Sequence, residues 1–263
     1  MRMRYDAGAA AYDQTTGRWS RLFASAVIDA AEVKTGERVL DIATGTGDAV
    51  LLAAERLGAS GAAIAVDLSL PMLLVADTKR SAETVRFVAA DAQILPFRDA
   101  TFDAALCLFG LMFFPDRVAA LRHTRHLLRR GRRMVATVWG PWNRAPFAGI
   151  VAEALSREMP ADRDELFRPF ALADPAVLGH LLAAAGFRDT RVTPIIRKAH
   201  FVSFEDFWGP VEAGGGRLGQ AYLGLSEDAR ARVVRTAQEL IVNFTGSDGI
   251  TMDLEAYIAT GTA

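Results

Sequence analysis

The stretch Val39-Leu40-Asp41-Ile42-Ala43-Thr44-Gly45-Thr46-Gly47-Asp48-Ala49-Val50 decides the fold. A short apolar run (Val39, Leu40, Ile42, Ala43) breaks into a turn holding Gly45 and Gly47. Helix-type spacing succeeds it in Val50, Leu51, Ala54 and Leu57. This order predicts a buried strand, a glycine turn and a helix, the way an open α/β sheet presents a nucleotide-like ligand at the carboxyl end of its first strand. The glycines admit otherwise costly backbone dihedrals and let a ligand approach without a Cβ in the way.

The residues beyond the turn point the same way. A second apolar run, Ala62 to Val66, ends at Asp67, twenty residues after Gly47. A carboxylate at the tip of the second strand can accept two ribose hydroxyls at once. A third run, Val85 to Ala89, ends in Ala90-Asp91-Ala92-Gln93. A fourth, Phe102 to Leu108, leads into Phe109-Gly110. With helical patterns between them, these runs predict a parallel sheet whose carboxyl edge is the working edge.

Composition sets the bounds. The 263 residues fit one α/β domain of ordinary size with room for an elaboration. A hydrophobic content of 51% is high, yet no apolar stretch reaches the roughly 18 uncharged residues a membrane span needs. The surplus therefore points to a buried sheet and an apolar pocket. The start, Met-Arg-Met-Arg-Tyr-Asp, lacks the apolar segment of a secretory signal. The single cysteine, Cys107, sits in an apolar strand and cannot form an intrachain disulfide, which suits a cytoplasmic setting. A formal net charge of -1 argues against a general polyanion partner.

Along the chain, residues 1–33 carry a helical pattern whose large apolar members include Tyr5, Tyr12, Trp19, Phe23 and Ile28, and form an N-terminal lid segment. The ligand-binding core spans 34–139, ending in a fifth strand from Arg132 to Trp139. An insertion occupies 140–173. The core continues over 174–200 with a helix, Pro175 to Ala185, and a sixth strand interrupted by Pro194, which favours an edge or bulged position. A helical cap over 201–250 holds Phe201, Phe204, Phe207, Trp208 and Gly214-Gly215-Gly216. Residues 251–263 return as the last core strand.

The ligand can be narrowed from the same residues. A dinucleotide turn asks for a third small residue where this chain has Val50, and Asp48 stands where a pyrophosphate would carry its charge. The nucleotide implied has a ribose and an adenine-like base but no phosphate. S-adenosylmethionine fits, because its sulfonium and ammonium groups tolerate carboxylates.

In these stretches the chain resembles a class I S-adenosylmethionine-dependent methyltransferase, most like the ubiquinone/menaquinone-biosynthesis C-methyltransferase branch and its small-molecule relatives. The matching stretches are Val39–Asp48, Val66-Asp67-Leu68-Ser69 with Met72, Ala90-Asp91-Ala92-Gln93 with Leu95-Pro96-Phe97, Phe102-Asp103, Phe109-Gly110-Leu111 and Leu127–Arg132. They cover residues 36–139 in order. Three departures stand out. Ala43 replaces a common glycine, and the fifth-strand turn lacks its usual proline. Met112-Phe113-Phe114-Pro115 occupies the place of the Arg-Asn pair of the quinone enzymes.

The resemblance implies a Rossmann-like, seven-stranded, mostly parallel sheet with helices on both faces. It also implies a lid made by the N-terminal helices and the helical insertions. Asp41 with the backbone at Ala43, Gly45 and Gly47 would surround the methionine moiety. Asp67 would take the ribose hydroxyls, with Leu68 and Met72 bordering the adenosine. Asp91 and Ala92 would meet adenine, Leu108 and Phe109 would line the floor near the methyl group, and Tyr12 and Trp19 would close from the lid. The acceptor is expected to be a small apolar or aromatic molecule against Phe113, Trp142, Phe207 and Trp208.

Methyl transfer from a sulfonium requires alignment and water exclusion more than proton chemistry. No histidine is placed so as to demand a catalytic role; His200, just before the aromatic cluster, is the best placed to face a pocket. The arginine-rich stretch Arg122 to Arg133, with His123 and His126, reads as a solvated helix face and a cationic helix end rather than a nucleic-acid site. One cysteine and scattered histidines offer no metal cluster. The partners implied are the methyl acceptor and at most a second copy of the chain as a homodimer, with neither nucleic acid nor integral membrane. Two other readings stay open from sequence: an NAD(P)-dependent oxidoreductase, and a non-catalytic cofactor-binding member of the methyltransferase fold.

Overall fold

A computed structural model describes residues 8–14 and 16–263. Tyr5, part of the N-terminal pattern, lies outside the described residues. Two helices, α1 (Ala9–Gln14) and α2 (Thr16–Ala31), lead into β1 (Arg38–Ile42), α3 (Asp48–Leu57), β2 (Ala62–Asp67), α4 (Leu70–Thr78), β3 (Val85–Ala89), β4 (Phe102–Leu108), α5 (Arg117–Leu127) and β5 (Leu128–Trp139). Then come α6 (Pro146–Glu158), α7 (Arg163–Leu166), α8 (Pro175–Ala184) and β6 (Arg188–Phe201). The chain finishes with α9 (Phe204–Glu212), α10 (Gly216–Leu223), α11 (Glu227–Ile241), β7 (Thr245–Gly246) and β8 (Gly249–Thr262).

The sheet runs β3-β2-β1-β4-β5-β8-β6. The first five strands are parallel, with Leu40 level with Ile64 and Ala105; β8 runs antiparallel to both β5 and β6. The strand count is eight rather than the seven expected, because the two-residue β7 forms a short hairpin on β8. β6 lies at the sheet edge, as Pro194 requires, with a register shift between Arg188 and Arg191.

Central strands bury both faces, which is why β1 and β4 read as nearly unbroken apolar runs. Val39, Ala63, Ala65, Ala104 and Leu106 pack on one side against Val27 and Ile28 of α2 and Val50 and Ala53 of α3. Leu40, Ile42, Ala105 and Cys107 face the other side, whose core includes Leu121 of α5 and Leu178 and Leu182 of α8. Side-chain caps fix where helices start: Ser69, Asp116, Asp174, Ser203 and Ser226 each accept from an amide of their helix's first turn. No helix among the described residues is long and apolar enough to cross a membrane.

The strand order reverses between β1 and β4, and there the loops after the two strands touch. Ala43 has φ +56° and Phe109 φ +54°, both left-handed values that side-chain-bearing residues rarely adopt. Gly110 makes this possible: a Cβ there would sit 2.5 Å from the Ala43 Cβ and 3.0 Å from the Cys107 Sγ. Gly110→Ala should therefore lower stability by about 1–3 kcal/mol through overpacking. Ala43→Gly, which removes the opposing methyl, should recover most of that loss in the double variant. Urea unfolding of the four proteins measures the coupling; simple additivity would refute the contact.

Candidate functional site

The glycine loop is built as a chain of backbone commitments. Thr44 N–H donates to the Val66 carbonyl at 2.9 Å and Gly47 N–H to the Thr44 carbonyl at 2.9 Å. Gly45 (φ +56°) and Gly47 (φ +88°) both take left-handed values. A Cβ on Gly45 would meet nothing within 4 Å, so the loop is open at that point. Asp67, at the tip of β2, closes the motif. One carboxylate oxygen accepts from Gly45 N–H at 2.8 Å and the other from Ser69 N–H at 2.8 Å. A carboxylate oxygen can serve more than one donor at a time.

Asp41 is fully buried beneath this loop. Its Oδ2 accepts from the Thr44 hydroxyl at 2.6 Å, while Oδ1 finds no partner of hydrogen-bonding geometry. Burial pushes its carboxyl up to about 7, against the pull of the Thr44 hydroxyl and with Asp67 and Asp48 adding like charge. A buried acid with an oxygen to spare, facing other carboxylates, is a group that a cation would stabilise.

Along the rim, Leu68 is exposed, whereas Met72 is buried in α4 with its amide on the Ser69 hydroxyl at 3.4 Å. Asp91, past β3, accepts from Gln93 N–H at 2.9 Å, and Gln93 Oε1 in turn accepts from Asp116 N–H at 3.1 Å. Asp91 and Ala92 are half-buried. Leu108 ends β4, half-buried, just before Phe109.

Asp48 has a different part from the one its position suggested. Its carboxylate pairs with Arg21 Nε at 2.9 Å and Lys79 Nζ at 3.3 Å, and Asp13 pairs with the same two cations at 3.1 and 2.6 Å. The four groups latch α1 and α2 to the start of α3 and the end of α4. Asp48 is therefore a neutralised anchor rather than a bare charge at the loop. Tyr12, on α1, lies close enough to Asp48 and Asp67 to feel them; burial and those charges push its phenol up to about 12.

Tyr12 also opens the second half of the site. An apolar cleft lies between α1–α2, the ends of β4 and β5, α6, and the α9–α10 connection. Trp19, Phe109, Phe113, Trp139, Phe147 and Phe207 form most of its aromatic wall. Phe109 stacks on Trp139 with centroids 3.9 Å apart, Phe23 meets Phe109 edge-on at 5.3 Å, and Trp19 lies 4.5 Å from Phe201. Tyr12, Ser20, Arg217 and the indole groups of Trp19 and Trp139 are the residues of the wall that carry polar side-chain atoms.

Three sequence expectations fail here. Trp208 does not reach the cleft: it is 2% exposed, stacked on Phe204 and met edge-on by Tyr222, so it is core of the cap. Trp142 is 40% exposed and packs edge-on against Phe167 outside the cleft wall. His200 is exposed on the edge strand β6, its Nδ1 3.1 Å from the Thr251 hydroxyl, away from the cleft. Conversely, Trp139, Phe147 and Arg217 belong to the wall without having been expected there. Trp139 ends β5 on the working edge, a signal the strand-tip rule could have used; Phe147 and Val151, four apart on α6, are a one-face pair. Nothing local marks Arg217. Among the described residues no cluster of three or more His, Cys, Asp or Glu side chains is placed to hold a metal ion.

Known proteins share both the sequence pattern and the fold. The model of the ubiE/COQ5 methyltransferase family matches residues 10–139. The demethylmenaquinone methyltransferase of Thermus thermophilus is 35% identical over 184 residues, which is 65% of this chain and 81% of that protein. The ubiquinone/menaquinone biosynthesis C-methyltransferase UbiE of Cellvibrio japonicus is 39% identical over 127 residues, 47% of this chain and 51% of that protein. Among solved structures, the phosphoethanolamine N-methyltransferase 2 of Haemonchus contortus in complex with S-adenosyl-L-methionine superposes with a TM-score of 0.60 at 19% identity, covering 99% of this chain and 58% of that one. The last likeness is one of fold. The first three set aside the oxidoreductase reading: this chain belongs to the ubiE/COQ5 methyltransferase family and is an S-adenosylmethionine-dependent methyltransferase.

Proposed function

We propose that the loop and the cleft are the two halves of one methyl-transfer site, and that the acceptor is a flat, largely apolar small molecule held in the cleft. The observation that carries this reading is the aromatic cleft meeting the glycine-loop end of the site through Tyr12 and Phe109. The acceptors in the names of the Thermus and Cellvibrio relatives, demethylmenaquinone and the quinones, belong to that class of molecule.

The donor set suits a phosphate-free nucleoside with a cationic tail. Asp67, a carboxylate fixed beside Gly45 and Ser69, would hold the ribose hydroxyls, with Leu68 and Met72 flanking the adenosine and Asp91 with Ala92 at the base. Asp41 and the backbone at Ala43, Gly45 and Gly47 would surround the amino-acid tail, with Leu108 and Phe109 beneath the reacting centre. The cofactor supplies a methyl group already activated on a sulfonium. What the chain contributes is alignment, dry aromatic surfaces that suit a cation, and closure by Trp19 and Tyr12. No carboxylate or imidazole lines the cleft among the described residues, and the Tyr12 phenol stays protonated at neutral pH, so the site aligns an acceptor without a resident base.

Calorimetric titration with S-adenosylhomocysteine is the direct test, and absence of binding at millimolar ligand would defeat the reading. Asp67→Asn, which trades one acceptor oxygen for a donor, should weaken that binding at least tenfold while the fold survives by circular dichroism. Asp41 gives a pH signature. Its carboxyl lies near 7 in the folded chain against 3.8 unfolded, so its protonated form contributes fully below about 4 and the contribution is lost as pH rises through about 7. Asp41→Asn should accordingly raise the unfolding free energy of the ligand-free protein, read from urea titrations, by on the order of 2–4 kcal/mol at pH 8 and much less at pH 5. The same change should flatten a rise in S-adenosylhomocysteine affinity between pH 6 and 8; an unchanged pH profile would show that Asp41 does not sense the ligand's ammonium.

A further inference from the structure

The cleft wall carries one charged side chain among the described residues, Arg217, at the start of α10. Its side chain is 13% exposed, and its buried Nε has no hydrogen-bond partner. The guanidinium pairs with Glu165 through Nη2, but Glu165 is 52% exposed and also holds Arg168 at 3.0 Å. As a purely structural pair this arrangement is poor: a desolvated cation with an unmade hydrogen bond costs more than an apolar side chain of the same size would. Two more arginines stand next to wall residues or bond their neighbours. Pro169 follows Arg168, and Phe113 follows Met112, whose carbonyl accepts from Arg117 at 3.0 Å. The Arg117 Nε is likewise buried without a partner, and burial with the charge of Arg168 pulls that guanidinium down from its ordinary value. Among the described residues, the one charge on this otherwise apolar, aromatic wall is thus positive, with two more arginines behind it.

The geometry points to an acceptor that is aromatic and carries a carboxylate, with Arg217 as the residue that selects it. This inference rests on the cleft being the acceptor site. A flat ring fills the space between Phe109, Phe113 and Phe207, and the carboxylate pairs with the guanidinium of Arg217 on the cleft wall, a charge-assisted interaction in a site of low dielectric. A neutral ring of the same shape binds without that interaction, and so more weakly.

The test compares 2-naphthoate with 2-naphthamide, equal in shape and different in charge, by calorimetry at pH 7.5 with and without S-adenosylhomocysteine. The wild-type protein should bind 2-naphthoate at least tenfold more tightly. Arg217→Met should reduce the preference to within twofold, and Glu165→Gln, which removes the competing carboxylate and leaves the wall intact, should widen it several-fold. Equal binding by the wild type, binding of neither probe, or a preference that survives Arg217→Met while Glu165→Gln changes nothing would overturn the assignment. Failure of S-adenosylhomocysteine to bind, with the naphthoate preference intact, would overturn the cofactor reading and leave this one standing.

Discussion

The Asp67 carboxylate is the tie on which the working edge depends. It reaches from the end of β2 to the amide of Gly45 in the loop after β1 and to the amide of Ser69 at the cap of α4. Three elements that meet only at the sheet edge are thereby held in one arrangement by a single side chain. Half-burying a carboxylate there is tolerable because charge-assisted bonds from two amides replace water, and because Gly45 presents its amide without a Cβ in the way. Once that edge is fixed, the positions of Asp41 below it and Tyr12 above it are set by chain connectivity.

The next constraint is steric. Two side-chain-bearing residues, Ala43 and Phe109, hold left-handed backbone where the strand order reverses. Such conformations persist only where the surroundings over-determine them, and they gather at sites of function. Here the surroundings are explicit: Gly110 leaves room for the Ala43 methyl, and Phe109 is clamped between Phe23 and Trp139. The ring that floors the cleft is thus placed by a strained backbone and held by its neighbours rather than by a rotamer free to swing.

The glycine-loop end of the sheet was legible in the sequence because its signals are local. A strand, a glycine turn and an acidic strand tip are each written within a dozen residues, and parallel pairing brings the tips to one edge. Even the edge position of β6 could be read from Pro194. The aromatic cleft was legible only in part. Phe113 and Phe207 are wall residues, but Trp142 and Trp208 are not, since an aromatic cluster in sequence does not say which rings fill the cap's own core. Arg217 was invisible for a related reason: its meaning comes from desolvation by residues drawn from α6, α9 and the turn after α7, none of them its sequence neighbours. The extra strand β7 escaped notice because two residues carry no periodicity.

The N-terminal helices are attached in two unlike ways. At the loop end the latch is ionic, through Asp13, Arg21, Asp48 and Lys79; at the cleft end it is chiefly aromatic, through Trp19 against Phe201 and Phe147, with the exposed Arg18–Asp206 pair beside it. Salt screens the ion pairs and leaves the ring contacts untouched. The two ends of the site therefore answer to different properties of the solvent, and ionic strength loosens the glycine-loop end more than the aromatic one.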